Sequence, residues 1–295
     1  LGIHAAIDFD LHMGAISIVL WTFCALLNSS MILENIPYRI IKTKFTVHVT
    51  LGLIMGLALA ISGVSYFLAA QFAENGENAL RIITGEKNAV IQRQKLLEAE
   101  SCYAKAVSLD SLNGLYQANL AQVSGNIYNS LRIEQNPHTQ QYLSISQASI
   151  DRASQNSPYD LKVINILINA CINIGDINRA VNQAEKAVAA SPNDINTYNV
   201  LAQVLWLGTD SYLKAGIDSE AKKLALKLAR LPEIVDKQDK RINPLKKSPP
   251  YWAGADFVLS PAAKFDIAKA NYITGKHLDC KLKLEELGIN NDDNM

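Results

Sequence analysis

Two hydrophobic patterns divide the chain. Up to residue 72 apolar side chains run almost unbroken, whereas from residue 73 onward they are interspersed with almost every Lys, Glu, Asn and Gln. The run from Phe45 to Phe72, FTVHVTLGLIMGLALAISGVSYFLAAQF, has 28 residues without a charge, and about 20 cross a bilayer core. It predicts a transmembrane helix. The earlier run from Met13 to Leu27 holds 15 residues and reaches spanning length if its helix starts near His4, with the charged turn in the headgroup region. Neither run has the make-up of a signal peptide. The chain opens on Leu1 inside a helical pattern, so it is read as the C-terminal piece of a longer membrane protein. The expected organisation is a membrane segment over residues 1–72, with spans at about 4–27 and 45–72 joined by a linker at 28–44, followed by a helical domain over 73–295.

The second region carries an internal period, which decides architecture before any local reading. Pro158 and Pro192 are 34 residues apart, and Leu161 to Asp194 fits the tetratricopeptide pattern. Leu167 takes its leucine position, Gly175 the inter-helix turn, Ala180 and Ala187 the two small positions of the second helix, and Pro192 the closing turn. Small residues allow close helix approach, glycine ends the first helix and proline stops the second. Tyr198, Leu201 and Ala202 open the next unit. Upstream, Ala99, Tyr103 and Ala106 match a second helix, with Ser111 where proline is expected. Leu120 and Ala121 begin a unit whose second helix runs to Ala153 and Pro158. Ser111 and Pro158 are 47 residues apart, so this unit holds extra residues, placed in SGNIYNSLRIEQNPHTQ. A further copy occupies FDIAKANYITGKHLDCKLKLEEL, with Ala268, Gly275 and Cys280 at equivalent spacings. The fold class is therefore all-α, two transmembrane helices followed by a tetratricopeptide-type solenoid of four to five helix pairs. Such a stack has a concave face that takes up peptides or proteins, or else serves as a rigid spacer.

Between the last two units the pattern breaks at LPEIVDKQDKRINPLKKSPPYWAGADFVLSP. Lys237, Lys240, Arg241, Lys246 and Lys247, followed by Tyr251 and Trp252, could hold an anionic glycan or lipid phosphate by charge and ring stacking. The alternative is a solvated loop.

Charge adds little. Lys and Arg number 28 against 28 Asp and Glu, so no nucleic-acid partner is favoured. Near the membrane, Arg39, Lys42 and Lys44 in the linker outnumber Arg81 and Lys87 after the second span. The positive-inside rule then places the linker in the cytoplasm and the repeats outside, in a multi-pass inner or plasma membrane protein. Cys24, Cys102, Cys171 and Cys280 form no C-x-x-C pair, and the last three are read as buried reduced thiols. No nucleophile elbow, phosphate loop or HExxH is present, and no cofactor is expected.

The first residues, LGIHAAIDFDLHMGAISIVLW, put His4, Asp8 and His12 on one helical stripe with Asp10 elsewhere. Such a stripe could ligate metal, relay protons, hold a phosphate-bearing substrate or merely anchor the span. Three ligands on one helix do not close a metal site without another segment, so no metal is expected. HAAIDFDLHMGAISIVLW resembles the last transmembrane segment of the O-antigen ligase and polymerase family, through His4, Asp8, Phe9 and Asp10. That resemblance covers about 27 residues. It implies a glycan polymerase or ligase acting on a polyprenyl-diphosphate-linked glycan, with a repeat tail for envelope proteins. His4, Asp8 and Asp10 would then support chemistry carried by residues upstream of this chain. The other reading is a non-catalytic, membrane-anchored repeat scaffold.

Overall fold

The computed structural model describes residues 38–246 and 257–288, and every element among them is a helix. The first expected span, residues 4–27, lies outside the described residues. Helix α1, Tyr38–Gly85, contains 48 residues and is therefore about 72 Å long at 1.5 Å per residue. Ile54 is 62% exposed, Leu57 64% and Ile61 59%. The hydroxyls of Ser62 and Ser65 donate back to the carbonyls of Ala58 and Ile61. Polar groups are thus satisfied within the helix and apolar groups point outward, as apolar surroundings require. Among the described residues this is the one helix long and apolar enough to cross a membrane.

Helix α1 does not stop where the apolar run ends. It passes through Phe72 without a break, and its last turns pack against α2, Ala89–Leu109. Ala79, Ala99 and Tyr103 are buried in that contact. The Tyr103 ring lies over Gly76, where a Cβ would come within 2.9 Å of it. The first repeat therefore takes its first helix from the same rod that carries the apolar run.

Three further pairs follow in the same sense: α3 (Gly114–Ile133) with α4 (Thr139–Asn156), α5 (Leu161–Ile174) with α6 (Ile177–Ala190), and α7 (Ile195–Lys214) with α8 (Asp218–Ala229). After α9 (Leu231–Lys246) the last pair is α10 (Pro261–Ile273) with α11 (His277–Glu286). Each second helix also packs on the next first helix, which is how a face that no pair covers alone becomes buried. The positions expected from the period fill that core. Leu167, Ala180, Ala187, Ala202, Ala99, Ala106, Ala121, Ala153 and Ala268 are all fully buried, and Tyr198 nearly so.

Local chemistry punctuates the repeats. Asn113, Asp160 and Asp194 cap first helices by accepting from backbone N–H groups two or three residues on. Such caps satisfy donors that the helix leaves free. Gly175 closes α5 at φ 79°, its N–H returning to the carbonyls of Cys171 and Ile172. This left-handed position is the reason for glycine there.

The extra residues of the long unit lengthen both of its helices, to 20 and 18 residues against 14 and 14 in the next pair. The structure departs from expectation in two places. The stretch after α8 is helical up to Lys246 rather than a solvated loop. Leu231, Val235 and Ile242 fall on one stripe and are buried, and Gln238 donates to Asn193 at 2.7 Å. Of the three cysteines read as buried thiols, Cys171 is buried but Cys102 and Cys280 are half-exposed.

Candidate functional site

From Phe257 the chain is pinned back onto the stack before α10 begins. Phe257 is buried with its ring edge-on to Tyr198 at 5.6 Å between centroids. The backbone N–H of Ser260 donates to Asn199 at 2.9 Å, and Ser260 in turn caps α10 through the Ala263 N–H. These contacts set α10 against α7 with a groove of about 600 Å³ between α7, α10 and α11. Its lining includes Trp206, Phe265, Lys269, Tyr272, His277 and Cys280.

The groove is largely aromatic, with Lys269 set among its rings and Lys281 also in its lining. Lys269 Nζ stands 4.1 Å from the Trp206 ring centroid and 4.6 Å from that of Phe265. It is also 2.6 Å from the Asp266 carboxylate. Tyr272 meets His277 edge-on at 5.1 Å. Such a floor offers ring faces to an apolar or planar group and a held ammonium to an acceptor beside it. It offers no activated nucleophile, since burial pushes the Cys280 thiol upward.

Of the residues singled out in the sequence, Lys240 and Arg241 stand exposed on α9. Lys240 is ion-paired with Asp236 at 2.7 Å, a hydrogen bond that raises its pKa. Tyr251 and Trp252 lie outside the described residues, as do His4, Asp8 and Asp10. Among the described residues no group of three His, Cys, Asp or Glu side chains is placed to hold a metal ion. A second basic surface on α8, formed by Lys222, Lys223, Lys227 and Arg230, is partly neutralised. Lys223 pairs with Glu220 at 3.3 Å and Lys227 with Glu185 at 2.7 Å.

The groove residues escaped the sequence reading. Phe265, Lys269 and Tyr272 do form an i, i+4, i+7 stripe, a legible signal. Trp206, from a different unit, is brought to them only by the stacking of α10 on α7.

The fold and groove define a class: a tetratricopeptide-like solenoid of helix pairs, continuous with one long apolar helix. No protein-family profile matches the chain, and no curated protein matches it. Among solved structures, that of pilF from Pseudomonas aeruginosa is similar, with 15% identity and a TM-score of 0.37, covering 76% of this chain and 80% of that one. The resemblance of the first residues to O-antigen ligases and polymerases finds no support from similarity to known proteins.

Proposed function

We propose that this chain is a membrane-anchored docking module, in which α1 crosses the bilayer and the helix pairs hold an extended protein segment. The observation that carries it is the aromatic groove around Lys269, open to solvent beside an exposed Tyr272. A partner that lays an aromatic or branched apolar side chain on Trp206 and Phe265, with a carbonyl or carboxylate near Lys269, fits this chemistry. The charge counts around α1 support an extracytoplasmic repeat domain whose partners are envelope proteins.

A photo-crosslinking amino acid at Tyr272 in the full chain, expressed in membranes, tests the reading. One discrete adduct is expected, lost on Trp206→Ala and absent when the crosslinker sits at Ile133, an exposed position at the far end of α3. Equal adducts from both positions, or an adduct indifferent to Trp206→Ala, would refute docking in the groove.

A second, finer reading rests on His4, Asp8 and Asp10 alone. In it the chain closes a multi-pass glycan polymerase or ligase, and the repeats serve a reaction on a polyprenyl-diphosphate-linked glycan. Asp8→Asn and His4→Ala in the intact membrane protein should then shorten or abolish surface polymer while leaving protein levels in the membrane unchanged. Unaltered polymer in both variants removes this reading and leaves the docking module standing.

A further inference from the structure

The apolar run and the first repeat share one helix, so the height of the repeat above the bilayer is set by register. Lys44 is the last cation before the run. Counting about 20 residues for the hydrocarbon core from Phe45 puts its outer limit near residue 65. Tyr66 and Phe67, both exposed, then fall at the depth where aromatic side chains are favoured.

Helix α2 runs antiparallel to α1 and returns towards that depth. Its Tyr103 ring covers Gly76, and Lys105 Nζ lies 5.3 Å from the Phe72 ring centroid. Each residue further along α2 therefore moves one residue back along α1. Ala69 is fully buried inside an otherwise exposed stretch, which is what the end of α2 lying over it would produce. The loop Asp110–Asn113 then stands level with about residues 65–68 of α1, at headgroup height.

At the tip of that loop Leu112 is 76% exposed, and Tyr159, in the next inter-repeat loop, is 81% exposed. The two loops are neighbours. Asn156 Nδ2 donates to the Ser111 carbonyl at 3.1 Å, and a Cβ on Gly114 would collide with the Ser157 hydroxyl. Lys105 and Lys162, both exposed, flank the tips. Exposed apolar tips with ammonium groups beside them suit the interfacial layer, where apolar side chains enter the upper acyl region and cations meet phosphates.

We propose that the edge formed by loops 110–113 and 157–160 is seated on the same bilayer that α1 crosses. The first two repeats are thus clamped to the membrane surface rather than held away from it. This rests on the membrane-anchored reading above.

The test uses the full chain in phosphatidylcholine–phosphatidylglycerol nanodiscs, with Trp21, Trp206 and Trp252 replaced by Phe and one Trp introduced at a time. Quenching by lipids brominated near the top of the acyl chains is then read. Ile61→Trp reports the anchor. Leu112→Trp and Tyr159→Trp report the edge, and Val90→Trp, 74% exposed at the start of α2 and so at the opposite edge, is the control. The expected result is about a twofold loss of emission at 61, 112 and 159 and none at 90. Quenching at 61 with 112 and 159 as bright as 90 would overturn the seated edge and leave the anchor intact. A blue-shifted but unquenched signal at 112 would assign the edge to a protein partner and equally overturn it. No quenching at 61 would remove the anchor and the seated edge together.

Discussion

Gly208 sits inside α7, where alanine is the better helix former by roughly 0.5–1 kcal/mol. Propensity alone predicts that Gly208→Ala stabilises the protein. Packing predicts the reverse. A Cβ on Gly208 would stand 2.6 Å from Leu224 Cδ1 on α8 and 2.7 Å from Ile177 Cγ2 on α6. Leu224 is buried among the core residues, and the Ile177 methyl belongs to a β-branched side chain that is stiff at χ1. Neither neighbour can withdraw freely, and overpacking of this kind costs about 1–3 kcal/mol. Less the propensity gain, a net loss of about 0–2.5 kcal/mol is expected, about 1 kcal/mol at the middle of the two ranges. Urea denaturation of the full chain in detergent, followed by far-ultraviolet circular dichroism, should show a lower midpoint with an unchanged slope. Truncating the neighbour separates the two effects. Leu224→Ala should cost about 2–5 kcal/mol in the native background and about 1 kcal/mol less beside Ala at 208, because the clash is relieved. A raised midpoint for Gly208→Ala, or additive behaviour in the double variant, would refute the argument that α6, α7 and α8 meet at this glycine.

Two further predictions concern the central pair. Burial pushes the Cys171 thiol up to about 12, whereas in the unfolded chain it takes its ordinary value of about 8.5. The unfolded state thus loses its proton first, so the stability this thiol contributes is complete below that ordinary value and declines as pH rises towards 12. At pH near neutrality the native thiol should resist a maleimide that labels it promptly in denaturant, and rapid labelling of the folded chain would contradict its burial. Asp160 accepts from the Lys162 and Val163 N–H groups at 2.8 and 3.3 Å, so Asp160→Ala should lower stability by about 1 kcal/mol and Asp160→Asn by much less. Equal losses from both variants, measured by the same denaturation, would show that the carboxylate charge rather than the cap is what matters.

The helix pairs were legible because their constraints are local and repeat. Close approach needs alanine at 180, 187 and 202, and the left-handed turn needs glycine at 175. These demands leave a mark at a fixed spacing whatever surrounds them. The stretch after α8 was misread for a physical reason as well. Its Lys and Asp residues dominate its composition, but the buried stripe of Leu231, Val235 and Ile242 needs only three apolar positions. A helix lying on an existing stack can be mostly polar, since just one narrow face is covered. The spacing located the extra residues in SGNIYNSLRIEQNPHTQ, and the structure shows the form they take, an extension of two helices that pack on each other.

By itself the chain determined that its helices come in pairs, where the clearest pair, Leu161 to Asp194, begins and ends, and that one run is apolar enough for lipid. Those features follow from side-chain size, backbone freedom and hydropathy, which act over a few residues. Only the tertiary structure decided that α1 continues unbroken into the first repeat, that loops 110–113 and 157–160 lie side by side, and that Trp206 joins Phe265 and Lys269 around one groove. Each depends on the register between helices far apart in the chain. That register is set by how whole faces pack, a collective property that no single segment carries.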